Sequence, residues 1–519
     1  MKEKLMLDRL YGSSLGLIIK LIGLATLTSI LGWMAYVASL KREWVMVGVL
    51  AIVIVAMNVV YLSKKAVASK FFLPGLVFLA IFMIAPVIYT SVMSTYNYKI
   101  GNLITKQEAL KQLIDVVGLV PDEESTQYDM YVGKVGNTNT AIFTNQIDKS
   151  VWLGQNGKAT LLQPGEYSSD ANGIANSVPG FVAYTDEELS GDESLISNAR
   201  YSMADGYFIV AQDQITAGRM KQNFFYNKDK DQIYDKSTGI TYINNSKGNF
   251  VNAADKTQLL MPGWRETTWF SNYTSIFTEK NLRDPFIRVF IWTFAFSFLT
   301  IIMMFGVGLI LAIALDKKIR FRNIYRSILI LPYAMPSFMS ILIWAGMFNR
   351  QYGMINSLLG TEIDWLGSPW TARGVILLVN LWLGFPYFYL ISTGALQALP
   401  SDLEEAASID GASGQQIFWR IKLPLVLQIL SPMLIASFAF NFNNFNLVYL
   451  LTKGGPTDVL GGETAGATDL LITYAYKTAF AENNQNYGLA SAVSVIVFLI
   501  VAAISMWSLK RSKVLEEIK

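Results

Sequence analysis

The stretch SFAFNFNNFNLVYLLTKGGP, residues 437–456, sets four asparagines, Asn441, Asn443, Asn444 and Asn446, into an otherwise apolar run. A carboxamide among hydrocarbon is costly unless it faces a cavity or a partner helix. At about 100° per residue, Ser437, Asn441 and Asn444 fall within roughly 60° of one another, with Phe440 beside them. Hydroxyl and amide groups next to an aromatic ring suit a neutral sugar, since amides bond its hydroxyls while the ring covers its apolar C–H face. The same asparagines serve equally well to stitch helices together by interhelical hydrogen bonds. WLGFPYFYL, residues 382–390, adds Gly384 and Pro386 in the middle of another apolar run. Such residues break or kink a helix, and broken helices line substrate paths; a kink that only serves packing explains them as well. Pro332 and Pro336 in ILPYAMPSFMSILIWAGMFN, residues 330–349, bend a further run in the same way.

The elements that must position these groups are membrane spans. Of the 519 residues 52% are hydrophobic and only 16% charged, too few charges to cover a soluble surface. A bilayer core takes about 20 apolar residues per helix, and eight such runs lie near 15–37, 43–62, 72–94, 286–315, 326–349, 374–397, 426–451 and 488–509. The first follows a basic start (Lys2, Lys4, Arg9), is too long for a signal-peptide core and lacks a small-residue cleavage site, so it is expected to be retained. Basic residues favour the cytoplasmic side. They cluster at the N-terminus, at Lys64, Lys65 and Lys70, at DKKIRFRNIYR (316–326) and at LKRSKVLEEIK (509–519), which eight spans place on one side; Lys41 and Arg42 dissent. Both termini are therefore expected in the cytoplasm. The net charge of +3 and the absence of a Lys/Arg block give no sign of nucleic acid. With no cysteine and no histidine, the sequence has no disulfide, thiol nucleophile, Cys/His metal site or His-based triad.

Between the third and fourth runs lies a polar stretch, residues 96–285, which parity places outside. YDMYVGKVGNTNTAIFTN (128–145) and DQIYDKSTGITYINNSKGNF (231–250) alternate apolar and polar residues and are punctuated by Gly, Asn and Asp, the chemistry of strands and turns. TKQEALKQLIDVVGLV (105–120) has helical spacing. The stretch is long enough for its own core. The expected architecture is an all-α polytopic membrane protein with an inserted strand-rich extracytoplasmic domain: three spans in 1–95, the inserted domain in 96–285, and five spans in 286–519.

A polar segment, EEAASIDGASGQQIFWRIKLPL (404–425), interrupts the last five spans on the cytoplasmic side. Its start is rich in helix formers and acids, Gly411 permits a turn, a second short helix fits 413–423, and Pro424 marks the next span. Ala406 and Ala407 admit a close partner while Glu404 and Glu405 meet its basic groups; an ordinary amphipathic loop accounts for the composition too.

The spacing Glu405-Ala406-Ala407, three residues, Gly411, nine residues, Ile421-Lys422-Leu423-Pro424 resembles the EAA loop of ABC importer permeases, where this loop (402–424 here) seats in a cleft of the ATPase subunit. Together with eight spans, a large domain after the third, and the segments quoted from 330–349 and 437–456, the chain resembles the larger permeases of bacterial maltose/maltodextrin importers. The resemblance is close from about residue 286 onward, looser over the first three spans, and in the inserted domain rests on size and position. It implies the type I ABC importer permease fold and a location in the bacterial inner membrane. It also implies a maltose/maltodextrin site formed by Leu383, Gly384, Tyr387, Ser437, Phe440, Asn441 and Asn444, and ATPase coupling through Glu405, Ala406, Ala407 and Gly411. The implied partners are a second, smaller permease, two copies of an ABC ATPase, a periplasmic maltose-binding protein and membrane lipid. The chain contains no G-x-x-x-x-G-K-[ST] stretch; KGGPTDVLGG (453–462) lacks its Lys-Ser/Thr ending. ATP and magnesium are thus expected on the partner ATPase, with no cofactor and no catalytic residue in this chain. A permease for another oligosaccharide or polyol shares the EAA loop but not the cavity residues or the domain. A membrane sensor calls for a signalling domain after the last span, and an ion-coupled transporter for buried carboxylates in the spans, of which there are almost none.

Overall fold

The computed structural model describes residues 14–40, 44–63, 67–192, 194–197, 200–316, 320–457, 465–480 and 485–511. Lys2, Lys4, Arg9, Lys41, Arg42, Lys64, Lys65, residues 317–319, 458–462 and 512–519, all used above, lie outside them.

The chain divides into two compact units, Met1–Val92 and Met93–Lys519. In the first, the apolar helices Ser14–Leu40 and Trp44–Leu62 pack together, and Asn58 Nδ2 donates to Thr28 Oγ1 at 3.0 Å and to the Ile54 carbonyl at 2.9 Å. Such a polar stitch joins apolar helices where lipid would give no hydrophobic driving force between them. A further apolar stretch, Ala68–Met93, carries a π-helical turn at Ala80–Ile84.

In the second unit, the inserted domain leaves and rejoins the membrane core through one neck. Tyr96–Asn97 pairs antiparallel with Glu266–Thr267, and Asn272 Nδ2 clamps the Ser94 and Tyr96 carbonyls at 2.8 and 2.9 Å. Inside it, seven strands close into a barrel-like sheet: Gln127–Val135, Thr138–Asn145, Val151–Gln155, Lys158–Leu161, Arg200–Ser202, Phe208–Ala211 and Thr216–Gln222, the last pairing back to the first. One junction, Ser202 beside Lys158, is parallel. Tyr128, Phe143, Tyr201 and Ile209 fill the interior. A four-stranded meander from Phe224 to Asn252 packs on helix Lys106–Gln112 around Phe250 and Trp264. That helix opens with a capping box between Thr105 and Glu108. The expected helix over 105–120 continues only as a π-helical turn to Val117 before strand Leu119–Pro121 begins.

Asp235 fastens the meander. Burial on its own raises its carboxyl, but hydrogen bonds from the Ser237 hydroxyl (2.8 Å), the Thr238 amide (3.2 Å) and Asn223 Nδ2 (2.7 Å) favour the ionised form and hold its pKa at about 2. An unfolded aspartate titrates near 3.9. The contribution, roughly 2 kcal/mol, is therefore complete above that value and lost as pH falls through the folded value of about 2. Hydrogen exchange of peptides covering 224–252, corrected for intrinsic rate, should accelerate between about pH 4 and pH 2, and Asp235→Asn should remove most of that dependence.

Six helices among the described residues are long and apolar enough to cross a bilayer. A seventh is counted if the pair Arg322–Ala334 and Ser337–Met347 is one span, and the second run gives the shorter apolar helix Met46–Leu62. The eight expected runs are thus all helical but not all straight spans. The pair bends by 91°, because Met335, which precedes Pro336, is forced into extended backbone (φ −85°, ψ 141°). In contrast, Pro369–Gln397 runs without a break through Gly384 and Pro386, the proline ring being buried among neighbouring helices.

The 35-residue helix Lys280–Ala314 is the hub of the core, packing on the Pro369 and Leu423 helices. Two glycines let it approach the Pro369 helix closely. A Cβ at Gly308 would stand 2.7 Å from the backbone of Phe388 and Tyr389, and one at Gly384 would meet the Met304 thioether. Gly308→Val should cost about 1–3 kcal/mol, since backbone cannot move aside; Gly306→Val, with open space around it, should cost nothing. Thermal unfolding of the purified chain in detergent checks both.

Candidate functional site

Helix Leu423–Phe442 stops at Asn443 (φ −109°, ψ 25°), and a new helix, Phe445–Thr452, starts at once with Asn444 as its cap, Oδ1 accepting from the Leu447 amide at 3.3 Å. The expected seventh span is therefore broken, and the break falls inside the asparagine motif. Short polar side chains that bond nearby backbone compete with the helix ladder, which is why the chain turns there.

The freed amides form a relay across three helices. Asn441, almost wholly buried, donates from Nδ2 to the Ser437 carbonyl at 2.8 Å and accepts at Oδ1 from Asn380 Nδ2, also at 2.8 Å. Asn380 Nδ2 also reaches Thr300 Oγ1 at 3.3 Å, and its Oδ1 accepts from Asn444 Nδ2 at 3.4 Å. Thr300 belongs to the Lys280 helix and Asn380 to the Pro369 helix. Asn443 turns back to the Ala439 carbonyl at 3.3 Å on its own helix, and Asn446 is exposed.

Of the expected residues, Asn441, Asn444 and Ser437 are brought together, Ser437 being half-buried. Phe440 is 70% exposed and free to cover a flat apolar surface. Leu383, Gly384 and Tyr387 lie with Asn380 at i, i+3, i+4 and i+7 of the Pro369 helix, one face of it. Leu383 and Tyr387 are half-buried, and Tyr387 stands edge-on to Phe388 at 5.3 Å between ring centroids. Asn380 is absent from the expected set. Its signal is a lone carboxamide in the apolar run VILLVNLWLG, four residues before Gly384. The cluster holds amides, hydroxyls and rings but no carboxylate or nucleophile. It can bond and stack on a polyhydroxylated molecule and cannot attack one.

The segment after the motif is tied down by a buried ion pair. Lys477 Nζ lies 2.7 Å from Asp469, which also accepts from the Gly466 amide (2.7 Å) and the Thr473 hydroxyl (2.8 Å). Burial pushes the Asp469 carboxyl up, and Lys477 opposes this. Gly454, at φ +75°, sits so close to this carboxylate that no side chain fits there.

The polar loop forms helix Asp402–Ile409, a turn at Gly411 (φ +80°), and a second start at Ser413, whose hydroxyl and Gln416 make a capping box. The Gly411 amide donates to the Ser408 carbonyl at 3.1 Å. Lys422 Nζ closes the loop on Glu404 at 2.5 Å. Glu405 and Ala406 are exposed and Ala407 is half-buried. Beside them stand Ile409, 86% exposed, and Trp419, 60% exposed, so the loop offers an apolar and acidic face held by a rigid turn.

A family described as "Binding-protein-dependent transport system inner membrane component" matches residues 304–512. The "Maltose/maltodextrin transport system permease protein MalF" of Escherichia coli (strain K12) is 34% identical over 475 residues, 88% of this chain and 88% of its own length. The protein of the same name from Yersinia pestis is 33% identical over 482 residues, 88% and 86% respectively. Among solved structures, a bacterial ABC transporter involved in the import of the acidic polysaccharide alginate aligns with 47% of this chain and 83% of its own, at 19% identity and a TM-score of 0.41.

Proposed function

This chain belongs to the MalF-type maltose/maltodextrin permeases of the binding-protein-dependent transport family, and from that membership we propose how its own residues carry sugar across the membrane. It is the transport subunit of an ATP-driven importer in the bacterial inner membrane, and hydrolysis belongs to a separate chain. What supports this most is the reach of the similarity, 88% of both chains, which takes in the inserted domain as well as the core.

Maltose or a maltodextrin end binds where the span breaks. Asn441, Asn444 and Ser437 bond its hydroxyls, Phe440 and Tyr387 cover its C–H faces with Leu383 beside them, and Gly384 seats this helix against Met304 of the Lys280 helix. Asn380 is a positioning residue that fixes both asparagines. Residues 402–424 seat in the ATPase through Glu405, Ala406 and Ala407, with Gly411 setting the angle at which the loop meets the spans. ATP and magnesium stay on that partner. The complex contains a smaller permease, two ATPases and a periplasmic binding protein that the inserted domain helps to capture, with both termini of this chain in the cytoplasm. ATPase closure moves the spans through the loop and opens the site outward; hydrolysis resets it. Each ligand drives the cycle only by favouring one conformation. Proteoliposomes carrying the complex should take up labelled maltose when ATP is enclosed and loaded binding protein is outside. Uptake of another oligosaccharide in preference to maltose would overturn the substrate.

A further inference from the structure

At the end of the core nearest the inserted domain, a groove of about 740 Å³ opens between the Lys280 and Pro369 helices. Its floor is a stripe on the Lys280 helix: Ile287, Ile291, Ala295 and Leu299, with Trp292 at the wall. From Asp284 to Leu299 the stripe runs about 22 Å at 1.5 Å per residue, enough to pass from the headgroup layer into one leaflet of a core about 30 Å thick. Its mouth is basic and aromatic. The Arg373 guanidinium is stacked between Trp292 (4.7 Å to the ring centroid) and Trp370 (5.2 Å). Arg373 Nε donates to the Ala467 carbonyl at 2.9 Å, and no carboxylate pairs with it among the described residues. Arg288 adds a second positive charge at the rim, one of its contacts being the Ala465 carbonyl at 3.4 Å, while Asp284 pairs with Arg283.

We propose that this groove binds one anionic phospholipid of the leaflet facing the inserted domain, its phosphate on Arg373 and one acyl chain along Ile291, Ala295 and Leu299. A guanidinium placed over two rings keeps N–H groups in a fork, the geometry that suits phosphate. Tryptophans at this depth mark the headgroup level, where basic pockets between spans recognise anionic lipids. The apolar stripe below needs a hydrocarbon chain, which free phosphate lacks.

Native mass spectrometry of the intact complex, equilibrated with phosphatidylglycerol and phosphatidylcholine in equal amounts, tests this. The wild type should retain one phosphatidylglycerol per copy of this chain, Arg373→Gln should retain it at least about tenfold more weakly, and Leu299→Trp, which fills the groove and leaves the arginine, should lose it as well. Equal retention by all three proteins, or no preference for phosphatidylglycerol, would overturn the site. A photoreactive side chain at position 295 gives an independent answer if Arg373→Gln fails to assemble. A cross-link to lipid supports the proposal, and one to the smaller permease gives the groove to a protein helix instead.

Discussion

Asn441→Ala should reduce maltose uptake by on the order of 100-fold or more while the complex still assembles. Two losses combine. The carboxamide proposed to bond the sugar is removed, and a site built around hydrogen bonds discriminates strongly once one partner is missing. In addition, Asn380 Nδ2, buried and donating to Asn441 Oδ1 at 2.8 Å, loses that acceptor, a desolvation cost of about 1–3 kcal/mol that loosens the relay to Asn444 and Thr300. Asn443→Ala is the control. Among the described residues its Nδ2 bonds only the Ala439 carbonyl of its own helix, so uptake should stay within about twofold of wild type. Labelled-maltose uptake, with co-purified ATPase measured alongside, separates a lost site from a lost complex. Wild-type uptake by Asn441→Ala would remove this residue from the site.

Gly411→Pro should abolish stimulated ATP hydrolysis and reduce ATPase co-purification to background. The residue lies at φ +80°, and its amide donates to the Ser408 carbonyl. Proline locks φ near −65° and has no N–H, so the turn between the two short helices cannot form. The faces carrying Glu405, Ala406 and Trp419 then point in new directions. Gly411→Ala, strained by about 1 kcal/mol in the left-handed region, should weaken coupling without removing it. Gly414→Ala has ordinary φ and open space around it and should behave as wild type. ATPase that co-purifies and responds normally with Gly411→Pro would end the case for the loop as the joint.

The amide cluster is legible in the sequence because carboxamides are conspicuous among hydrocarbon side chains, and the loop because its spacing repeats a known motif around one glycine. Both are local signals. Asn380 is easy to miss for the opposite reason: it is one amide in its run, and its meaning depends on Asn441 and Asn444, more than sixty residues away. Prolines announce trouble without locating it. The Pro332 and Pro336 pair produces a 91° bend, Pro386 no break in its helix, and the break near the site comes from Asn443 and Asn444. Closure of the inserted domain is equally hidden, since strand alternation gives faces but not partners, and the parallel junction of Ser202 with Lys158 joins residues far apart in the chain.

ATP hydrolysis by the reconstituted complex, with binding protein either maltose-loaded or sugar-free, tests the central claim most directly. Strong stimulation by the loaded form and weak stimulation by the empty one is the expected result. An ATPase that co-purifies but responds equally to both would contradict the proposed coupling of a sugar site at the broken span to the loop 402–424.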